Sequence, residues 1–92
     1  MMLLTFVVLS YNRPDELERI LSHFNGFSEK DVSLVIKDDD SPDFLLIENI
    51  VNKYKNTIGI PLTLIKNESN FGYDLNLLDS FEKIDSEYLF FL

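Results

Sequence analysis

Leu3-Leu4-Thr5-Phe6-Val7-Val8-Leu9-Ser10-Tyr11-Asn12-Arg13-Pro14-Asp15-Glu16 decides how the chain is read. Leu3 to Leu9 is a continuous apolar run with β-branched residues, the pattern of a strand buried on both faces. Pro14 fits the first position of a helix, where its missing N–H costs nothing. Asp15 and Glu16 suit the positive end of that helix. Leu17, Ile20, Leu21 and Phe24 then recur at i, i+3, i+4 and i+7, the spacing of one buried helical face. Gly26 follows where a chain commonly turns out of a helix.

The unit repeats outward from there. Val32 to Lys37 reads as a second strand, and Asp38 to Asp43 as a polar turn in which Ser41 and Pro42 signal a helix start. Ile47, Ile50, Val51 and Tyr54 form the next helical stripe, ended by Asn56 and Gly59. Leu62 to Ile65 is a third strand, introduced by Pro61. Asn67 to Gly72 is a loop, Leu77, Leu78, Phe81 and Ile84 form a third helical stripe, and Glu87 to Leu92 is a fourth strand. The order β-α-β-α-β-α-β implies an α/β domain with a parallel sheet and helices on both faces. Ligands of such sheets bind beyond the carboxyl ends of the strands. That rule selects Ser10 to Arg13, Asp38 to Asp43 and Lys66 to Gly72, the richest polar clusters in the sequence.

Composition narrows the function classes. At 92 residues the chain reads as one domain, residues 1–92. A formal net charge of −8 would repel a polyanionic backbone, which argues against nucleic acid as a partner. The same charge means that a phosphate-rich ligand needs a cation to neutralise it. With no Cys there is no disulfide, thiolate zinc site or thiol nucleophile, a composition that fits a cytoplasmic setting. No apolar run approaches the roughly 20 residues of a membrane span. The apolar N-terminus lacks a basic n-region and a cleavage site, so it reads as a strand and not a signal peptide.

The polar loops and their order resemble family 2 glycosyltransferases of the GT-A fold. The segments that carry the resemblance are Val7-Val8-Leu9-Ser10-Tyr11-Asn12-Arg13-Pro14, Asp38-Asp39-Asp40-Ser41-Pro42-Asp43, Asn70-Phe71-Gly72 with Asn76 beyond it, and Ser86-Glu87-Tyr88-Leu89-Phe90-Phe91-Leu92. The resemblance covers essentially the whole chain and implies a sheet of order 3-2-1-4, half of a GT-A, Rossmann-like fold. It implies transfer of a sugar from a nucleotide-diphosphate donor, a UDP-sugar, to an acceptor hydroxyl, with Mg²⁺ or Mn²⁺ as the cofactor of the whole enzyme. In the family the metal-holding Asp-x-Asp cluster follows the last strand, and the acceptor site and catalytic base come later still. The chain therefore reads as an N-terminal nucleotide-sugar-binding portion, truncated before that motif. It is expected to be inactive alone, with no catalytic residue, no metal ligand and no bound cofactor of its own. One departure stands in the third loop, where Asp74 occupies the place of an Arg found in many relatives. The alternative reading is a non-catalytic nucleotide-binding module. A receiver-like signalling domain fits less well, because the acid cluster follows strand two and the first strand ends in Leu9-Ser10-Tyr11.

The expected nucleotide-binding residues are Ser10, Tyr11, Asn12, Asp39, Asp40, Asn70 and Asp74. A carboxylate at a strand end can accept the N3–H of uracil, and the resemblance gives Asp39 that role. Tyr11 offers a flat apolar face and a hydroxyl to a nucleoside. Most of these residues also have a plain structural reading: Asn12 and Asn70 as helix caps, Asp38 to Asp40 as turn formers. Arg13 is read as surface charge, and His23 is assigned no role. Finally, Tyr88 to Leu92 is an apolar, charge-free run that would form a sheet edge. It is expected to pair two copies into a homodimer or larger oligomer through residues 87–92.

Overall fold

The computed structural model describes residues 2–92. The elements are β1 (Met2–Ser10), α1 (Pro14–His23), β2 (Val32–Asp38), α2 (Phe44–Tyr54), β3 (Leu62–Lys66), α3 (Tyr73–Lys83) and β4 (Ser86–Phe91). The four strands form one parallel sheet in the order β3-β2-β1-β4, as expected. Register fixes the functional end. Ser10 lies opposite Asp38, and Asp38 opposite Lys66, so β1, β2 and β3 finish level with one another. Two further bonds extend the ladder a step beyond the strands: the Asp39 N–H donates to the Ser10 carbonyl and the Asn67 N–H to the Asp38 carbonyl, both at 2.8 Å.

The two faces of the sheet differ in chemistry. On one face Val8, Val32, Leu34 and Ile36 pack with Leu17 and Leu21 of α1, with Ile47, Ile50 and Val51 of α2, and with Ile58 and Ile60. This is an all-apolar core, built by the stripes that the helical spacing predicts. On the other face, under α3, the strands bury Thr5, Ser33 and Lys37 beside Val7 and Val35. Thr5 and Ser33 satisfy each other through a hydroxyl–hydroxyl bond of 2.7 Å, and Lys37 needs acceptors from the helix above.

That need corrects one expectation. The apolar stripe of α3 does not face the sheet as a whole: Leu78 and Phe81 are each 59% exposed, while Asn76 and Ser80 are buried. A lysine on the sheet selects the polar side of the helix, since an unpaired buried charge costs far more than an exposed leucine. Helix starts also differ in detail. Asp43 caps α2 by accepting from the Leu46 N–H at 3.3 Å, two residues after Ser41, whose hydroxyl is used elsewhere. No side chain caps α1, so Asn12 is not its cap.

Truncation on the two helical sides should therefore cost very different amounts. Leu21→Ala, in the apolar core, is expected to lose about 3 kcal/mol of stability in urea denaturation. Leu78→Ala, on the outer side of α3, should change stability by no more than about 0.5 kcal/mol. Equal losses would contradict this placement of α3.

Candidate functional site

The second loop is built from one turn. Asp38, fully buried, accepts from the Ser41 hydroxyl at 2.6 Å and from the Ser41 N–H at 2.8 Å. The Ser41 hydroxyl in turn accepts from the Asn12 N–H at 2.8 Å, which ties the loop after β1 to the loop after β2. Asn12 and Asp40 both take left-handed backbone conformations, φ 51° and 62°, which Asn and Asp tolerate better than other side chains. Asp40 turns outward and pairs with Lys66 at 2.8 Å.

Asp39 holds the third loop. Its Oδ1 accepts from the Asn67 side-chain amide at 2.9 Å and from the Phe71 N–H at 2.8 Å, and its Oδ2 accepts from the Gly72 N–H at 2.9 Å. The Gly72 N–H also reaches Asn70 Oδ1 at 3.1 Å. Gly72 sits at φ 84°, where a side chain would strain the backbone. A carboxylate has about four acceptor positions, so Asp39 keeps one for another donor.

Beneath this loop lies a group that the sequence did not single out. Lys37 is fully buried. Its ammonium donates to Asn67 Oδ1 at 2.7 Å, Asn76 Oδ1 at 2.9 Å and Asp79 Oδ2 at 2.7 Å. Three donors meet three acceptors, and the Phe71 ring lies 5.4 Å from the same nitrogen. The Lys37 hydrogen bond holds the Asp79 carboxyl below its usual range, against the partial burial that raises it, and Lys83 adds to the lowering.

Four of the seven expected residues share one cleft at the strand ends. It is about 250 Å³ and is lined by Leu9, Ser10, Tyr11, Asp39, Asn70, Gly72, Tyr73 and Asn76. Tyr11, 43% exposed, stands on it. The Ser10 hydroxyl is buried without a hydrogen-bond partner. Asn12 and Asp40 flank the cleft through the contacts above and do not line it. Asp74 lies in the first turn of α3, exposed and outside the lining. Tyr73, also exposed, joins the cleft although the loop pattern gave no reason to pick it. Lys37 was missed because a charged residue late in a strand reads as solvent-facing; Asn67 lay in a selected loop without being singled out, and Asp79 falls outside the apolar stripe of α3.

The arrangement can recognise a flat polar ring, with an aromatic face from Tyr11 and an acceptor from Asp39. It does not fit a divalent cation. Asp38 and Asp39 spend their oxygens on internal donors, Asp40 is paired with Lys66, and among the described residues no group of three acidic or imidazole side chains converges.

The Lys37–Asp79 pair predicts a pH dependence. A carboxylate with a depressed folded pKa stabilises fully above its unfolded value and loses that contribution as pH falls through the folded value. Asp79→Asn should cost about 2 kcal/mol near neutral pH. The gap from the parent chain should shrink as pH drops below about 4. Urea melts at pH 7 and pH 3 check this; a gap that does not change with pH would contradict it.

Comparison with known proteins bears on the family and the fold. Residues 5–92 match the sequence profile described as Glycosyl transferase family 2. An abequosyltransferase, RfbV, of Salmonella typhimurium strain LT2 is 31% identical over an alignment of 90 residues, and the match covers 95% of this chain and 26% of that protein. The fold superposes on S. aureus TarS 1–349, also solved in complex with UDP, with a TM-score of 0.70 at 23–24% identity, covering 99% of this chain and 27% of TarS. A mannosyltransferase, PcManGT, from Pyrobaculum calidifontis, in complex with GDP-Man and Mn²⁺, gives a TM-score of 0.62 at 15% identity over 89% of this chain and 24% of its own. The chain thus spans about a quarter of the length of the relatives it matches. With a family match over nearly every residue and a GT-A sheet beneath it, the chain belongs to glycosyl transferase family 2.

Proposed function

We propose that residues 1–92 form the nucleotide-sugar-binding portion of a glycosyltransferase that moves a sugar from a UDP-linked donor to an acceptor hydroxyl. The observation that carries this is the cleft at the level ends of β1 and β2, where Ser10, Tyr11, Asp39 and Asn70 come together. Asp39 keeps one acceptor position, which suits the uracil N3–H, and Tyr11 offers the ring a face. Asn12, Asp40 and Asp74, which the sequence reading also proposes as nucleotide-binding, lie outside the lining of this cleft. That TarS was solved with UDP and PcManGT with GDP-Man supports a nucleotide-linked sugar as the class of donor.

In the whole enzyme the acceptor oxygen, deprotonated by a carboxylate base, attacks the anomeric carbon as the C–O bond to the diphosphate breaks, with inversion. Mg²⁺ or Mn²⁺ is the cofactor of that enzyme on this reading, and no described residue is assigned to hold it. The base is likewise assigned to none of them. The 92-residue chain alone is read as inactive, and its setting as cytoplasmic; no helix is long and apolar enough to cross a membrane among the described residues. The alternative is a non-catalytic nucleotide-binding module, a reading that draws on the absence of a converging acidic group among the described residues.

NMR titration of the chain with UDP tests the site. Shifts are expected at Tyr11, Asp39 and Gly72, and Tyr11→Ala should weaken binding about fivefold or more, the loss of about 1 kcal/mol or more of stacking. Asp39→Ala should abolish the shifts. Shifts confined to the outer helix faces would sink the assignment.

We also propose that two copies pair through residues 87–92. Among the described residues β4 is an edge strand bonded to β1 alone, and Tyr88 and Phe90 are largely exposed. An open apolar edge invites pairing with another edge, and a two-fold pairing of β4 strands would close after two copies. Sedimentation equilibrium should give a dimer or larger oligomer that Phe90→Asp breaks. Because the Phe90 ring also packs edge-on to Phe6 at 5.9 Å, Tyr88→Asp is the companion variant. A monomer of the parent chain at high concentration would refute this interface.

A further inference from the structure

An ammonium group only donates hydrogen bonds. Buried among side-chain amides, it therefore dictates which way those amides face. Lys37 requires the oxygens of Asn67 and Asn76 to point at it, as they do at 2.7 and 2.9 Å. The amide nitrogens must then point away. The Nδ2 of Asn67 meets Asp39 Oδ1 at 2.9 Å and Asn76 Oδ1 at 2.8 Å, and the Nδ2 of Asn76 reaches the Lys37 carbonyl at 3.3 Å. A reversed Asn67 would set its oxygen against both the Asp39 carboxylate and the Asn76 oxygen.

Stability alone does not call for a lysine here. A buried ion pair is often no more stabilising than apolar side chains of similar volume, and the neighbouring strand positions are Val35 and Ile36. What the lysine uniquely supplies is direction.

We propose that Lys37 is a positioning residue for the strand-end cleft. Through Asn67 it presents a donor to Asp39, which holds the Asp39 carboxylate on the Phe71 and Gly72 amides and so keeps the third loop drawn onto the strand ends. The proposal deepens the nucleotide reading and rests on it for ligand affinity, while the latch itself is testable without ligand. Lys37 touches no ligand; it acts through Asn67 and Asp39. The path runs from Asp79 on α3 through Lys37 and Asn67 to Asp39, and each link is 2.9 Å or shorter.

The test compares the parent chain with Lys37→Met and with Lys37→Met/Asp79→Leu. The double variant replaces the ion pair by apolar groups and leaves no orphaned carboxylate, so it guards against loss of the fold. Amide hydrogen exchange is read at Phe71 and Gly72, with Leu34 and Ile36 as core references. In both variants exchange at Phe71 and Gly72 should accelerate by about tenfold or more while the core references hold, a local opening and not a global one. UDP, the probe ligand, should bind the double variant more weakly than the parent. Unchanged exchange at Phe71 and Gly72 would overturn the proposal. Uniform acceleration that includes the core would overturn it as well, because Lys37 would then merely hold the fold. If the parent chain binds no UDP, the nucleotide reading fails, and exchange at Phe71 and Gly72 still decides the role of Lys37.

Discussion

A lysine ammonium buried in the middle strand sets the terms for half of this fold. Lys37 cannot reach water, so three acceptors must come to it. One comes from the loop after β3 and two from α3. Their positions decide which side of α3 faces the sheet, and that choice leaves Leu78 and Phe81 outside. On the opposite face no such demand exists, and α1 and α2 pack their apolar stripes in the ordinary way. One sheet thus carries a hydrophobic core on one side and, on the other, hydrogen-bonded polar groups buried beside Val7 and Val35. The first supplies most of the burial free energy; the second supplies orientation.

The cleft follows from strand register as much as from side-chain identity. Because β1, β2 and β3 end level, their loops meet, and short bonds can join them: Asn12 to Ser41, Asp39 to Ser10, Asn67 to Asp38, and Phe71 and Gly72 to Asp39. The acids are not idle surface charge. Asp38 is held by the Ser41 hydroxyl and N–H, and Asp39 by the Asn67 amide and the Phe71 and Gly72 N–H groups, so two consecutive carboxylates stay buried and hydrogen-bonded in a chain of net charge −8. The same bonding leaves those carboxylates little capacity for a metal ion.

Much of this was legible in the sequence, and the reasons are physical. Strand and helix periods differ, so β-α alternation could be read, and parallel sheets place their ligands at one end. Ser10, Tyr11, Asp39 and Asn70 were selected that way, and one cleft is lined by all four. Other features depend on the partner across the sheet, which a linear pattern cannot show. A helical stripe of Leu77, Leu78, Phe81 and Ile84 looks like a buried face until Lys37 beneath it demands Asn76 and Asp79 instead. Ser41 looks like a helix cap until Asp38 and Asn12 claim its hydroxyl. Tyr73 looks like any first-turn residue until Asp39 fixes Gly72 and sets the next side chain at the cleft.

The central claim is that the three strand-end loops form a single nucleotide site. A crystal structure of the chain grown with UDP tests it most directly. The account predicts the uracil ring against Tyr11 with its N3–H on Asp39, and the third loop still latched by Phe71 and Gly72. A nucleotide seated instead on the outer side of α3, among Phe71, Leu75 and Leu78, would contradict it.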